Sequence, residues 1–89
     1  MNAIITVVGT DKVGIIAKVS AFLAERDINI EDITQTILSG NFVMMMMVNL
    51  SSSSKGLEEI KQELLILGDT LNVSINMMHE KVFMAMHRI

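Results

Sequence analysis

The stretch from Gly9 to Ile15 (GTDKVGI) contains the residues of this chain whose types and spacing could do chemistry. Two glycines and an aspartate, between an apolar run and an amphipathic run, predict a tight turn from a strand into a helix. The first backbone N–H groups of a helix have no intrahelical acceptor, so they can bind an anion or a polar ligand. The spacing therefore predicts a small-molecule-binding loop at the start of a helix.

A purely structural role explains the same residues about as well. Gly9 and Gly14 could serve only the turn and the close packing of a helix on a strand. Asp11 is first a candidate N-cap for the helix and only then a candidate ligand contact. Lys12 could simply be solvated. Both interpretations stay open at the level of sequence.

Other kinds of chemical site find little support. The run Met44–Met47 offers soft thioether ligands, but consecutive strand residues point to opposite faces and cannot converge on one ion. His79 and His87 lie more than two helical turns apart, so they do not form a metal-binding pair. The chain has no cysteine, and no Ser–His–Asp set is evident. We expect no metal, no cofactor and no catalytic residue.

Composition indicates one small domain. The chain has 89 residues, of which 51% are hydrophobic, and a net charge of −3. The charge and the three phenylalanines, its only aromatic residues, argue against a nucleic-acid partner. The N-terminus lacks the basic region of a signal peptide, and the apolar run 42–48 is far shorter than the ~20 residues of a membrane span. We expect a cytoplasmic protein without a membrane partner.

Apolar periodicity predicts four strands and three helices. The predicted strands cover residues 2–8, 28–38, 42–50 and 71–78, and the predicted helices cover 12–26, 55–67 and 79–89. Asp27 and Gly68 are expected to end the first two helices, and Ser39-Gly40-Asn41 is expected to form a hairpin turn.

The second strand contains a fault in its alternation. Ile28 and Ile30 share one parity, whereas Ile33 and Ile37 share the other. A bulge near Glu31 would restore one apolar face. Bulges favour sheet edges and binding sites, so this is a mild pointer to function.

The order of elements predicts an α+β, ferredoxin-like βαββαβ fold: a four-stranded antiparallel sheet with two helices on one face and a short C-terminal helix. The single domain covers 1–89, with a core over 1–78 and the extra helix over 79–89. Strands one and three should be central, and both are apolar on both faces. We expect the C-terminal helix and a second subunit to cover the open face.

Three features together resemble a known family. They are the segment VVGTDKVGIIAKVSAFLAE, the following INIEDITQTIL, and the βαββαβ order. The chain resembles an ACT domain, a small-molecule-binding regulatory module. It is most similar to stand-alone single-domain ACT proteins, and also to the ACT domains of glycine-cleavage regulators and formyltetrahydrofolate deformylases. Many relatives have Pro in place of Val13 and Gly in place of Asp27, and neither change removes a ligand donor.

The resemblance implies a homodimer, either edge-to-edge or face-to-face. It also implies an amino-acid ligand at the subunit interface, between the loop of one chain and the start of strand two of the other. Carried over to this sequence, the implied ligand-binding residues are Gly9, Asp11, Lys12, Val13, Gly14, Ile15, Asn29 and Ile30.

We therefore expect a regulatory module that binds an amino acid as a homodimer and signals to a protein partner in trans. The alternative is a ligand-free oligomerising or interaction domain. A small enzyme of the acylphosphatase-like fold finds less support, because acylphosphatases hold phosphate with an arginine in the first loop. The arginines here are Arg26 and Arg88, which lie elsewhere in the sequence.

Overall fold

The computed structural model describes residues 1–10 and 13–86 of the chain. Within them lie four strands and three helices: β1 (Asn2–Gly9), α1 (Ile15–Glu25), β2 (Asn29–Leu38), β3 (Asn41–Asn49), α2 (Leu57–Leu71), β4 (Ser74–His79) and α3 (Glu80–Met86). In this described part, no helix has the length and apolar character needed to cross a bilayer.

The four strands form one antiparallel sheet in the order β2-β3-β1-β4. This confirms the ferredoxin-like α+β fold and the central position of the first and third strands. β2 and β4 are the two edges. The predicted C-terminal helix is also present as α3, although it begins one residue later than expected because His79 is the last residue of β4.

The core lies between the sheet and the two long helices. One face of β1 and one face of β3 are fully buried, through alternate residues such as Ile5 and Met46. The apolar stripe of α1 and the α2 residues Ile60 and Leu64 pack in the same cluster. The stripe predicted for α1 is confirmed: Ile15, Val19, Phe22 and Leu23 are buried and Ile16 is partly buried.

The predicted bulge in β2 is confirmed. Its register against β3 shifts between Ile30 and Asp32, so Glu31 is the extra residue. Ile30 then pairs with Val48, and Ile33 with Met46, so both isoleucines face the helices. The hairpin turn is also confirmed, because both Ser39 and Gly40 have positive φ, as a two-residue type I′ turn requires.

Two predicted helix boundaries are wrong. α1 begins at Ile15 with Gly14 in the cap position, later than the predicted start at residue 12, and the predicted N-cap, Asp11, lies outside the described residues. Gly68 does not stop α2, which continues to Leu71 and ends at Asn72 in the left-handed conformation. Gly68 is a glycine for another reason: a Cβ there would lie 2.8 Å from the carbonyl oxygen of Val73, at the turn into β4.

The short helix α3 folds back over the open face of the sheet, on β1 and β4. Ile4 points to this face, and only 6% of it is exposed. Phe83 and Met86 of α3 line a cavity of about 240 Å³ with Thr6 and Met78 of the sheet. The expectation that the tail helix covers part of the open face is confirmed for this half of the sheet.

A cluster of charges joins the two long helices. Glu63 of α2 accepts hydrogen bonds from Lys55 Nζ at 2.6 Å and from Arg26 Nε at 2.8 Å. Arg26 follows α1, and its guanidinium carbon lies 3.5 Å from the centre of the Phe22 ring. The bond from Lys55, followed by that from Arg26, lowers the pKa of Glu63, while the bond to Glu63 raises the pKa of Lys55.

Glu63→Gln should destabilise the protein at neutral pH, because it removes the carboxylate that both cations contact. The folded pKa of Glu63 lies below its unfolded value, so its contribution is present above about pH 4.5 and is lost as pH falls through the folded pKa. Urea unfolding of wild type and variant from pH 3 to 8 should therefore converge at low pH. Glu58→Gln, at an exposed position of α2, is the matched control. A gap between wild type and variant that did not change with pH would contradict this role for the carboxylate.

Candidate functional site

The loop that contains Gly9 and Gly14 connects the end of β1 to the start of α1. Gly14 has φ of 77°, in the left-handed region, and a Cβ there would meet nothing within 4 Å. The first intrahelical bond is donated by Lys18 N–H to the Gly14 carbonyl at 2.9 Å. The N–H groups of the three preceding helical residues have no acceptor within the helix. The arrangement can therefore hold an anionic group such as a carboxylate.

The other loop residues divide into exposed and buried positions. Val13 is 83% exposed beside Gly14, whereas Ile15 is buried, so Ile15 can offer only its backbone to a ligand. Gly9 is buried too, and a Cβ on it would lie 2.5 Å from Val73 Cγ1. That contact supports a packing role for Gly9. Asp11 and Lys12 lie outside the described residues.

The two predicted strand residues lie at the far end of the sheet. Asn29 pairs with Asn49 of β3, whereas Gly9 pairs with Phe42. The two rows are seven residues apart along β3, which corresponds to about 23 Å at the rise of an antiparallel strand. Asn29 is exposed and Ile30 is half-buried. Within one chain the fold therefore does not bring the loop and the start of β2 together.

A cavity of about 190 Å³ opens at the β2 edge, at the same end of the sheet as the loop. Gln35, Thr36, Ile37 and Phe42 line it, and Ile37 shares a row with Phe42 and Gly9. None of these residues belongs to the site predicted from the sequence. The alternation after the bulge placed Ile37 on the helix side of the strand, but nothing in the sequence marks the edge at which Gln35 and Ile37 stay uncovered.

No metal centre accompanies the loop in the part of the chain that the structure describes. Among residues 1–10 and 13–86, no three His, Cys, Asp or Glu side chains come close enough together to hold an ion.

Comparison with known proteins decides the family. The sequence model of the ACT domain matches residues 2–78. The chain belongs to the ACT domain family. This confirms the resemblance inferred from the loop and from the order of elements. ACT domains are in general regulatory modules that bind small ligands, which matches the kind of site that the loop predicts.

Relatives of similar length match almost all of this ACT chain. A UPF0237 protein of Listeria monocytogenes is 48% identical over 89 residues, which is 100% of both chains. A UPF0237 protein of Methanopyrus kandleri is 44% identical over 88 residues, covering 99% of this chain and 98% of its own. The solved structure of an ACT domain protein from Streptococcus pneumoniae is 46% identical, covers 93% of each chain and has a TM-score of 0.84.

More distant solved structures share the fold within longer chains. A formyltetrahydrofolate deformylase from Pseudomonas syringae matches 86% of this chain but only 26% of its own, at 22% identity and a TM-score of 0.78. A proposed glycine cleavage system transcriptional repressor matches 86% of this chain and 44% of its own, at 25% identity and a TM-score of 0.73.

Gly14→Ala should cost about 1–2 kcal/mol of unfolding free energy, because the methyl group has room but the left-handed backbone disfavours a Cβ. Gly56→Ala is the matched control. Gly56 also precedes a helix without a side-chain cap, has φ of −83°, and has open space around it. That control should leave stability unchanged or raise it by up to about 1 kcal/mol. Urea unfolding measures both changes, and equal effects would show that the left-handed turn at Gly14 is not fixed.

Proposed function

We propose that this protein is a regulatory module that binds an amino acid as a homodimer, signals to a protein partner in trans and catalyses no reaction. The observation that carries the proposal is the exposed start of α1 at Gly14 on an ACT domain. The first-turn N–H groups, which have no acceptor within the helix, suit an α-carboxylate. Val13, exposed beside them, would meet the ligand's side chain.

A second chain is needed because the loop and Asn29 lie too far apart in one chain. Antiparallel pairing of two β2 strands about a two-fold axis sets the Ile37 end of one β2 beside the Asn29 end of the other. Ile37 shares its row with the end of β1, so the loop and the edge cavity of one chain then face Asn29 of its partner. There the Asn29 carbonyl oxygen could accept a hydrogen bond from the ligand's ammonium.

The β2 edge has the character of a pairing surface. It is ten residues long and contains neither lysine nor proline, the residues that usually protect an exposed edge. Ile33, Ile37 and Leu38 are 41%, 58% and 66% exposed along it. Burying these side chains against a second copy would add apolar contacts to the backbone hydrogen bonds.

The same edge supports the alternative, a ligand-free oligomerising domain, because pairing at β2 requires no ligand. Enzyme activity of the acylphosphatase type has no support at the loop. Arg26 lies at the opposite end of α1 from Gly14 and is engaged by Glu63 at 2.8 Å.

A thermal-shift screen against the amino acids and common anions tests the proposal. A ligand at 100 times its Kd adds about 2.7 kcal/mol of stability. In a domain of this size that corresponds to a rise in Tm of about 10 °C or more. If no compound moves the melting curve at millimolar concentration, the sensor function is contradicted and the oligomerising alternative is favoured.

Mixed dimers locate the site once the screen has found a ligand. Val13→Glu should repel a carboxylate at the helix start, while Ala21→Glu, exposed further along α1, adds the same charge and should bind normally. Asn29→Leu removes the polar group on the other half of the site. Neither Val13→Glu nor Asn29→Leu should bind alone, but an equal mixture should recover about one quarter of the sites, since each mixed dimer has one intact site. No recovery on mixing would mean that the loop and Asn29 act within one chain.

A further inference from the structure

We infer that the groove between α1 and α2 is a second small-molecule site, which takes an organic acid with an apolar body and a hydrogen-bond donor at its far end. The site lies in the helical layer of a single chain, so it depends neither on the loop at Gly14 nor on pairing at β2. Three observations carry it: a cavity with apolar walls, an oriented guanidinium with N–H groups to spare, and a hydroxyl acceptor at the opposite end.

The cavity measures about 270 Å³ and opens between the end of α1 and the second half of α2. Phe22 lies at its base, because only 7% of this residue is exposed. Ile66 and Leu67 of α2 line its side. Ile66 is 66% exposed and takes no part in the core, so its side chain faces water unless an apolar group covers it. The cavity therefore offers apolar contact to a ligand.

Arg26 stands at one end of the cavity, and its guanidinium is held on three sides. Nε donates to Glu63 Oε1 at 2.8 Å, Nη1 donates to the Phe22 carbonyl oxygen at 2.9 Å, and the guanidinium carbon lies 3.5 Å from the centre of the Phe22 ring. Nη2 has no acceptor among the described residues. A guanidinium fixed in this way loses little freedom on binding, and its remaining N–H groups suit a carboxylate.

The charges around Arg26 permit an anion at Nη2. Glu63 is the nearest carboxylate, but Lys55 Nζ also donates to it at 2.6 Å, so two cations contact one anion. Glu25 and Glu59 approach the same cations at 3.9 and 3.6 Å. Their side chains are 76% and 59% exposed, against 26% for Glu63, so water screens them more strongly. A carboxylate at Nη2 therefore meets more positive than negative charge at close range.

Thr70 marks the other end of the cavity. Its hydroxyl donates to the Ile66 carbonyl oxygen at 3.1 Å, so it has only lone pairs to offer a ligand. Thr70 follows Glu63 by two turns of α2, which corresponds to about 10 Å along the helix. The cavity thus presents a donor at one end, an acceptor at the other and apolar contact between them. The ligand that matches has a carboxylate, an apolar body and an O–H or N–H group opposite the carboxylate.

The groove is distinct from the sites at the loop and at the β2 edge. Gly14 and Arg26 cap the two ends of α1, so they lie about 18 Å apart along the helix. No residue of the sheet lines the cavity, and each lining residue belongs to α1, to its C-terminal cap or to α2. A ligand in the groove therefore leaves both the loop and the β2 edge uncovered.

Methyl NMR with three related probes tests the inference. Phloretate (para-hydroxyphenylpropionate) has all three features, its primary amide lacks the negative charge, and phenylpropionate lacks the hydroxyl group. Phloretate should bind with a Kd on the order of 1 mM and shift the methyl signals of Ile66 and Leu67. The amide should bind at least about tenfold more weakly and phenylpropionate about fivefold more weakly, because each loses one hydrogen bond. The methyl signals of Val13, beside the loop, should stay in place.

Two substitutions assign the probe to this cavity. Thr70→Val keeps the shape of the side chain but removes the acceptor, so it should weaken phloretate about fivefold and leave phenylpropionate unchanged. Ile66→Ala shortens the apolar side and should weaken both probes about threefold to tenfold. Leu65→Ala, at a 42% exposed position of α2 that does not line the cavity, is the matched control and should bind as wild type does.

The other outcomes overturn the inference. No shift with any probe well above the expected Kd removes the site, and shifts at Val13 with Ile66 unmoved place the probe at the loop instead. Equal affinity for the three probes, or normal binding by Thr70→Val and Ile66→Ala, reduces the groove to non-specific apolar contact. The amino-acid screen and the mixed dimers report on the loop and Asn29, so either site can fail while the other stands.

Discussion

The fold depends on the burial of two central strands that are apolar on both faces. β1 and β3 pack one face against α1 and α2, and this single layer of helices accounts for the main core. The other face still carries Ile4, Met45 and Met47, which a ferredoxin-like domain without a further element would leave to water. α3 packs on β1 and β4 and covers part of this face, whereas Met45 and Met47 of β3 stay half-buried. Apolar side chains therefore remain partly exposed on the β3 half of this face.

The order of the elements also determines where the parts of the candidate site lie. The loop lies at one end of the sheet, because β1 ends there at the buried Gly9. α1 begins at Ile15, soon after this end, and packs its apolar side against the sheet. The start of β2 is fixed at the other end, because α1 runs back along the sheet before the chain re-enters it at Asn29. A βαβ unit necessarily separates the start of its helix from the start of its second strand by the length of that helix. A site that uses both must therefore be built by two chains.

Most of the fold could be predicted from the sequence because alternation, helical periodicity and turn residues act locally. The bulge at Glu31 was visible as a change of parity, and the left-handed Asp27 ended α1 as expected. The prediction that Gly68 ends α2 was wrong, because this glycine permits a close approach to the Val73 backbone. That contact joins two elements, and no local sequence pattern reveals it. The same limit applied to the site: the loop carried a motif, whereas the edge cavity beside Ile37 depends on which strands end up uncovered.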